Sequence, residues 1–330
     1  MIGAPTRRGA LALAAGGLAA AARPTTPHAQ APAAPGPRED AMNAPFHRLS
    51  VGDVRVTVVS DGQIAFPAWP TYAPDVPEVE VHAAMRARFL EPPLYRLDAN
   101  ALVVETAGRT VLVDSGWGPF APEVGRLPAH LRLAGIDPAA VDTVLLTHIH
   151  PDHVGGLRDA AGGLVFPDAE VVVPEAELTQ WRDGPDFGAM TVEEGFRPAF
   201  AAAAEGVLSL GDQLRPVGPG AEIAPGVTLV PAPEHTRGHS AVRIASGAAS
   251  LLCAADAFHD PAFDLAHPAW RTAFDWDPAA AEASRRALLE EAAAERGLVM
   301  AYHMPFPGLG HVERAGEGYA WTPMRIDLGG

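Results

Sequence analysis

Residues 147–156, with the sequence THIHPDHVGG, contain the densest cluster of potential metal ligands in the chain. His148 and His150 lie two residues apart, so their side chains point to the same side if the segment is extended. Asp152 and His153 follow at the point where the chain must turn. Neutral imidazoles and a carboxylate are ligands that suit Zn²⁺ and its borderline neighbours. Because three of the 13 histidines fall within six positions beside an aspartate, this segment predicts a metal site.

Two metal ions need more ligands than this segment offers, and further candidates stand at the ends of predicted strands. His235, Asp256 and His303 each follow a short apolar run that predicts a strand. The end of a strand holds its residues rigidly enough to fix the geometry of a ligand. The sequence therefore predicts that these three side chains complete the site.

The order of these motifs resembles that of the metallo-β-lactamase-fold hydrolase superfamily. His-x-His-x-Asp-His at 148–153 precedes His-Thr-x-Gly-His at 235–239, and a lone Asp256 and a lone His303 come after them. Asp114, in a Val-Asp-Ser-Gly motif at the end of a predicted strand, matches the first motif of the family. The resemblance covers almost the whole chain beyond its N-terminal segment. It implies an α/β (α+β) fold, a four-layer αββα sandwich with the metal site along one edge.

Within this superfamily the chain is similar to the methyl parathion hydrolase branch. The similarity rests on the closing segment 305–311 (PFPGLGH), on an N-terminal export signal and on the spacing of the motifs. In that branch aromatic side chains line the pocket for the leaving group, and position carries this role to Phe120, Trp181 and Phe196. Residues 181–200 are interpreted as a flap over the mouth of the site.

The resemblance also implies a ligand set for two divalent metal ions per chain, taken to be Zn²⁺. Carried over by position, one ion would be held by His148, His150 and His235, the other by Asp152, His153 and His303, and Asp256 would bridge the two. Asp152 and Asp256 would thereby help to hold a bridging hydroxide as the nucleophile, because metal binding lowers the pKa of water towards about 7. Asp114 and His239 would support the ligands without binding metal. For Asp114, a solvated turn is the alternative interpretation.

The composition narrows the class of substrate. All 24 basic residues are arginines, so the chain has no lysine for a P-loop, a Schiff base or the capture of a substrate carboxylate. The net charge of −16 disfavours binding to nucleic acid or to an anionic membrane surface. Among the substrate classes that the resemblance implies, this leaves a small, neutral, hydrophobic ester as the predicted partner: a phosphotriester, an aryl ester or a lactone. The single cysteine, Cys253, is predicted to be a small buried apolar residue.

Three other functions stay open at this point. An acyl-homoserine-lactone lactonase typically carries a tyrosine soon after the bridging aspartate, where this chain has AFH at 257–259. A persulfide dioxygenase, an oxidoreductase on the same fold with one iron, would leave Asp152 and His303 without a metal. A binding module without catalysis conflicts with the complete ligand set. His259 and Asp260 are predicted to lie in a surface loop, with the rim of the pocket as the alternative.

The pattern of apolar residues predicts the elements that must hold these side chains. Val54, Val56 and Val58 alternate with polar residues, as in a half-buried strand. Further strands are predicted at 101–105, 110–113, 143–146, 170–173, 227–230, 242–245, 251–254 and 298–302, and helices at 79–89, at 127–133 and from Asp277-Pro278 to a stop at Gly297. The rest of 63–96 predicts a loop. Two groups of strands with helices between and after them favour sheets covered by helices.

The N-terminus resembles a twin-arginine export signal. Arg7 and Arg8 precede a weakly apolar run at 9–22, which is shorter than the roughly 20 residues of a membrane span. Small-x-small motifs ending at Ala31 and Ala33 offer cleavage sites. The predicted segments are a signal peptide at 1–31, a Pro/Ala-rich linker at 32–45 and a single hydrolase domain at 46–330. These features predict a periplasmic or secreted protein without a membrane span, and they leave a monomer and a homodimer both open.

Overall fold

The computed structural model of the chain describes residues 43–182, 184 and 186–326. The predicted export signal, and all but the last three residues of the predicted linker, lie outside the described residues. Two mixed β-sheets pack face to face, and helices cover their outer surfaces. This four-layer αββα arrangement confirms the predicted fold class. None of the described helices is both long and apolar enough to cross a membrane.

The first sheet has seven strands that neighbour one another in chain order. They are β1 (Phe46–Val51), β2 (Val54–Pro67), β3 (Leu94–Thr106), β4 (Arg109–Val113), β5 (Thr143–Leu145), β6 (Glu170–Pro174) and β7 (Leu214–Val217). Strands β1 to β4 pair antiparallel, whereas β4 to β7 pair parallel. Because parallel strands end at the same edge of a sheet, the segments that follow β4, β5 and β6 emerge side by side.

The second sheet also has seven strands, in the order β14-β13-β12-β11-β10-β9-β8. They are β8 (Glu222–Ala224), β9 (Val227–Pro231), β10 (Ser240–Ser246), β11 (Ala249–Cys253), β12 (Leu298–Met300), β13 (Leu309–Ala315) and β14 (Gly318–Pro323). Strands β11 and β12 are parallel, and the other neighbours are antiparallel. The strands predicted at 242–245 and 251–254 are present as β10 and β11, which pair with each other.

In the described part of the chain, seven α-helices connect and cover the strands. They are α1 (Ala68–Thr71), α2 (Glu78–Ala87), α3 (Leu127–Leu133), α4 (Pro151–Val154), α5 (Glu175–Arg182), α6 (Arg197–Leu208) and α7 (Pro278–Glu295) within the described residues. Helices α3, α5 and α6 pack on the outer face of the first sheet, and α7 packs on the outer face of the second. The predicted start of α7 is confirmed, since the Asp277 side chain accepts hydrogen bonds from the backbone N–H groups of Ala279 and Ala280.

Alternation along the strands divides the apolar residues between two layers. Val56 and Val58 of β2 face the second sheet, where Leu229 and Ile244 belong to the same buried cluster. Val59 points the other way and packs in the cluster beneath the helices. The side-chain period of two therefore fixes which residues join the sheets and which join the helices.

Backbone hydrogen bonds join the two sheets along one edge. The N–H of Ser240 donates to the carbonyl of Thr147 at 3.1 Å, and the N–H of Asn100 donates to the carbonyl of Tyr302 at 3.0 Å. Each bond links a segment of the first sheet to a segment of the second. The ends of β5, β9, β11 and β12 are thereby held together at this edge, where the predicted metal ligands begin.

The sequence-based expectation of a loop was wrong at both ends of the range 63–96. Strand β2 extends to Pro67 and β3 starts at Leu94, so 63–67 and 94–96 are strand and not loop. A bulge between Ser60 and Gly62 interrupts the alternation of β2 and conceals its second half. Helix α7 ends at Glu295, two residues before the predicted stop at Gly297, and the next residue, Arg296, adopts the left-handed conformation (φ 52°).

Candidate metal centre

The His-x-His-x-Asp-His segment leaves β5 at the edge where the sheets are joined. His148 follows the strand, and His150 is still extended (φ −92°, ψ 155°). Pro151 then begins α4, a single helical turn that carries Asp152 and His153. All four side chains are buried. The change from strand to helix turns the second pair of ligands towards the same space as the first pair.

The structure brings all seven predicted ligands together in two groups. The first group is His148, His150, His235 and Asp256, and the second is Asp152, His153, Asp256 and His303. Within each group, one ligand atom per residue lies within 4.8 Å of the others. Asp256 belongs to both: its Oδ2 is 3.6 Å from Nε2 of His235, and its Oδ1 is 3.2 Å from Nε2 of His153. Two cation sites that share a carboxylate fit this geometry.

Hydrogen bonds at Nδ1 orient the imidazoles of three of these histidines. The bonds join His153 Nδ1 to Asp114 Oδ2 at 2.8 Å, His235 Nδ1 to Asp275 Oδ1 at 2.9 Å, and His303 Nδ1 to the carbonyl of Asp98 at 2.7 Å. Each acceptor requires a proton on Nδ1, which leaves a lone pair on Nε2 in the neutral ring. That lone pair faces the interior of its group, as a metal ligand requires.

The donor atoms fit a pair of divalent cations. Nε2 of His148, Nε2 of His153 and Oδ1 of Asp256 are buried without a hydrogen-bond partner among the described residues. Nε2 of His235 lies 3.1 Å from Nδ1 of His150. Buried polar atoms left without partners are costly, and a shared cation satisfies several of them at once. Five imidazoles and two carboxylates form a donor set typical of zinc and related metals.

Electrostatics favours the protonation states that ligands need. Burial, together with the neighbouring imidazoles, holds the pKa of His148 and that of His150 well below the usual value, so both rings are neutral. Burial opposes ionisation of Asp256, but the charges of His153 and His303 outweigh it and hold the pKa of Asp256 well below its usual range. The first group thus offers two neutral imidazoles, those of His148 and His150, beside the ionised carboxylate of Asp256.

Asp114 and His239 lie against the two groups and outside them. Asp114 is buried and accepts hydrogen bonds from the N–H and the hydroxyl of Thr147 at 2.8 and 2.9 Å, in addition to the bond from His153. The alternative of a solvated turn is therefore wrong for Asp114. His239 accepts from the backbone N–H of Asp256 at 3.1 Å and donates to the carbonyl of Ala232 at 2.8 Å. Both side chains fix the backbone or ring of a ligand residue.

Sequence reasoning missed the buried pair of Asp275 and Arg285 behind the first group. Asp275 Oδ2 accepts from Arg285 Nη2 at 3.2 Å, while its Oδ1 holds His235. The Arg285 guanidinium also donates to the carbonyl of Ala257, which follows Asp256. Burial raises the pKa of Asp275, but the bond from His235 and the charge of Arg285 hold it below its usual value. One arginine from α7 therefore supports two ligand segments.

The prediction that His259 and Asp260 lie in a surface loop was wrong, since both are buried. His259 Nδ1 donates to Asp264 Oδ2 at 2.7 Å, and its Nε2 lies 3.5 Å from Asp256 Oδ2. Asp260 caps the helical turn Pro261–Leu265 and accepts from the hydroxyl of Tyr95 at 2.6 Å. The signal was the Asp-Pro pair at 260–261, which begins a helical turn that returns Asp264 to His259.

A pocket with aromatic walls opens onto the two groups. It is lined by Phe66, Tyr72, Leu97, Trp117, His150, Pro151, Asp152, Phe196, Phe200, Asp256, His259, Phe274 and His303. No arginine is among these described lining residues. Tyr72, which comes from the segment after α1, stacks on Phe263 with 4.5 Å between the ring centroids and lies 5.8 Å from the His259 ring. The pocket is therefore apolar except where it meets the metal ligands.

Of the three aromatic residues predicted to line the pocket, only Phe196 does so among the described residues. Phe120 is 42% exposed and lines an adjoining cleft, with its ring 5.7 Å from that of Phe196. Trp181 lies in the core behind the pocket, stacked on Phe200 at 6.2 Å. Its place on α5 directs it inward, which the sequence did not reveal because α5 was not predicted.

Comparisons with known proteins agree with this geometry. The sequence profile of the family described as the metallo-beta-lactamase superfamily matches residues 94–303. A probable metallo-hydrolase of Mycobacterium tuberculosis is 31% identical over 200 residues, which cover 48% of this chain and 56% of the relative, so the chain spans about half the length of the curated relative.

Two solved structures resemble nearly the whole described fold. The first is AidC, a dizinc quorum-quenching lactonase in complex with the product N-hexanoyl-L-homoserine; it is 27% identical, has a TM-score of 0.80, and the match covers 86% of this chain and 98% of AidC. The second is the hydrolase AbOPH of the beta lactamase superfamily, 26% identical with a TM-score of 0.78, and here the match covers 87% and 99%.

Proposed function

Since the chain belongs to the metallo-beta-lactamase superfamily, we propose that it is a dinuclear metal-dependent hydrolase of small, neutral, hydrophobic esters. One observation carries this proposal: two groups of ligands share Asp256 at the base of a pocket whose walls are aromatic and, among the residues that the structure describes, contain no arginine. Such a pocket binds an apolar substrate well, and its described walls offer no arginine to pair with an anionic group of the substrate.

The seven ligands predicted from the sequence would hold the ions. The first ion would be bound by His148, His150 and His235, the second by Asp152, His153 and His303, and both by Asp256. The mixture of imidazole and carboxylate ligands favours Zn²⁺. Two bound divalent cations would supply a Lewis acid for the ester oxygen and would acidify a water molecule enough to act as nucleophile near neutral pH.

The protein's own residues orient the ligands and the substrate. Asp114, Asp275 and the carbonyl of Asp98 keep the ligand imidazoles in one tautomer. The aromatic walls exclude water around the ester and seat its apolar arms. Burial, together with the nearby carboxylates of Asp264 and Asp260, raises the pKa of Tyr72 well above its usual value, so its hydroxyl keeps its proton and can donate to a substrate oxygen.

A lactone with an apolar acyl arm is the first substrate to test. The support is the similarity to AidC, a lactonase whose structure contains an N-acyl-homoserine product. The absence of a tyrosine at 257–259 does not contradict this, because Tyr72 and His259 both line the pocket. A neutral phosphotriester is the second candidate, because the chain resembles the methyl parathion hydrolase branch and Phe196 lines the pocket.

The test is a substrate panel on protein whose metal content has been measured. Hydrolysis of N-hexanoyl-homoserine lactone, phenyl acetate and paraoxon is compared for protein loaded with zinc and for the same protein after chelation. We expect two ions per chain and hydrolysis of at least one of these neutral esters, lost on chelation and restored by zinc. One ion per chain with oxygen consumption on a persulfide would instead support the dioxygenase alternative. Two ions without hydrolysis of any neutral ester would overturn the substrate class.

We also propose that the protein is exported, on the strength of Arg7-Arg8 and the short apolar run that follows them. Changing both arginines to lysine should leave an uncleaved precursor in the cytoplasm that still binds metal. Normal cleavage and export of the doubly substituted chain would contradict the twin-arginine assignment.

A further inference from the structure

Helix α5 carries a glutamate, Glu177, whose side chain is completely buried beside the metal centre. It belongs to neither group of potential metal ligands. Its carboxylate lies between the segment that carries His148 and His150 and the segment that follows His235. A buried carboxylate away from the reacting groups is costly, so the contacts that it makes there must compensate.

The carboxylate of Glu177 accepts four hydrogen bonds. Oε2 accepts from the N–H of Ile149 at 2.9 Å and from Nε1 of Trp181 at 3.3 Å, and Oε1 accepts from the N–H of Gly238 at 2.8 Å and from the hydroxyl of Thr236. Ile149 lies between two ligands of the first group, and Thr236 directly follows the third. One side chain thus connects the two segments that supply every histidine of that group.

The four donors require an ionised carboxylate. Three of them are N–H groups, which cannot accept a hydrogen bond. An amide at this position would direct its NH₂ group at the N–H of Ile149 in one orientation and at the N–H of Gly238 in the other. Burial raises the pKa of Glu177, while the hydrogen bonds oppose this rise. Geometry and chemistry therefore both select glutamate over glutamine here.

The segment of Gly238, which follows His235, also lies very close to α5, and this contact is independent of the hydrogen bonds to Glu177. Gly238 packs so tightly that a Cβ atom at this position would lie 2.5 Å from the backbone nitrogen of Glu177. The Gly238 segment is therefore seated directly on the start of α5 and is held there by the carboxylate. The second group is held by other contacts: Asp114 holds the imidazole of His153, the carbonyl of Asp98 holds that of His303, and the hydroxyl of Tyr302 donates to the carbonyl of Asp152 at 2.7 Å.

We propose that Glu177 is a positioning residue for the first metal group alone, because it sets the separation between the His148–His150 segment and His235. This inference rests on the proposed function only in that the group must bind an ion. It goes further because it states that different residues position the ligands of the first ion and those of the second. Loss of the carboxylate should therefore weaken the binding of one ion and leave the binding of the other unchanged.

The test is a competitive zinc titration of the purified full chain with a chromophoric chelator, which resolves two binding steps. The isosteric variant Glu177→Gln should lower the zinc affinity of one binding step by about 10- to 100-fold and change the affinity of the other step by less than about 3-fold. Glu175→Gln, an exposed change on the same helix, is the matched control and should leave both steps as in the wild type. Thr236→Val, which removes one donor and keeps the carboxylate, should weaken the same step to a smaller extent.

A double variant assigns the affected step. In the background of His235→Ala, which already disables the first group, Glu177→Gln should have no further effect on the remaining ion. Equal weakening of both steps, or a fall in melting temperature with both steps unchanged, would overturn the proposal and leave the function intact. A wild-type chain that binds fewer than two ions would instead contradict the proposed dinuclear site. If Glu177→Gln does not fold, Thr236→Val decides by the same criterion.

Discussion

The two ends of the sandwich use the same unusual backbone conformation for different purposes. At the metal end, Asp114 and Ala255 have positive φ angles of 60° and 47°. At the opposite end, where the hairpin β3–β4 turns and α7 leads into β12, Ala107 and Arg296 have φ angles of 48° and 52°. The left-handed conformation costs roughly 1–2 kcal/mol for a residue with a side chain. The two ends differ in whether the residue with this conformation has a further structural role.

At the metal end the strained residues place functional groups. Asp114 accepts hydrogen bonds from Thr147 and from the ligand His153, and Ala255 directly precedes Asp256. At the turn end Ala107 and Arg296 are exposed and only connect two elements. The comparison indicates that strain at the turn end can be removed without loss of activity, whereas the strained residues at the metal end are needed for function.

The largest effect is expected for Asp256→Ala at the metal end. Asp256 is shared by both groups, so its loss removes a ligand from each and the charge that offsets two cations. We expect hydrolysis to fall by about a thousandfold or more, because interactions of several kcal/mol with the transition state are lost. Rates are measured on zinc-loaded protein, with circular dichroism to verify the fold. A variant that keeps both ions and the wild-type rate would refute the shared role.

The second largest effect is expected for Asp114→Asn, which is compared with the same substitution at the turn end. In Asp114→Asn the NH₂ group would face the Nδ1 proton of His153, or else the N–H of Thr147, so the ligand ring is no longer held. We expect metal affinity or activity to drop by about 10- to 100-fold. Asp142→Asn is the matched control: Asp142 is exposed at the turn end, and its side chain accepts from the N–H of Thr110. Equal activity losses in the two variants would remove the distinction between the ends.

A smaller loss of activity is expected for His239→Ala. His239 connects the backbone of Asp256 with that of Ala232 and lies outside both metal groups. Its removal leaves two buried backbone groups without partners, which should lower the free energy of unfolding by about 1–3 kcal/mol. Activity should stay far above that of Asp256→Ala. Urea unfolding and steady-state kinetics measure both quantities, and loss of one bound ion would show that His239 is a ligand.

The smallest effect, and the only favourable one, is expected at the turn end. Arg296→Gly relieves a left-handed arginine that makes no side-chain hydrogen bond among the described residues, although glycine also gives the unfolded chain more freedom. The net result should be a gain in unfolding free energy of up to about 1 kcal/mol with unchanged activity. Asp114→Gly, the same change at the metal end, should instead lose activity. The midpoint of urea unfolding and the steady-state rate are measured for both variants.

The metal ligands could be predicted because each of them follows a short apolar run. A buried strand of three to five residues is recognisable from its sequence, and the polar residue at its end is then conspicuous. The helix α3 was predicted with its bounds, and α7 with its capping aspartate, for the same local reasons. Local patterns therefore sufficed for the frame of the site and for the side chains attached directly to it.

The supporting residues could not be predicted, because their partners are distant in sequence. Glu177 acquires its role from Ile149 and Gly238, and Asp275 acquires its role from His235, 40 residues away. Before these segments are brought together, each looks like an ordinary helix or turn residue. The same applies to Trp181, whose burial depends on α5 packing against the first sheet.

The position of the two groups between the sheets has a consequence for how the protein resists unfolding and digestion. His148, His150, Asp152 and His153 leave the first sheet, whereas His235, Asp256 and His303 leave the second. Bound ions would therefore connect the sheets and would bind the native state only, which adds about 4 kcal/mol of stability at a free concentration 1,000 times the dissociation constant. A protease that cleaves transiently opened chains would then act slowly on the metal-bound form and rapidly after chelation. The lifetime of the protein in the presence of proteases would then be governed by metal supply.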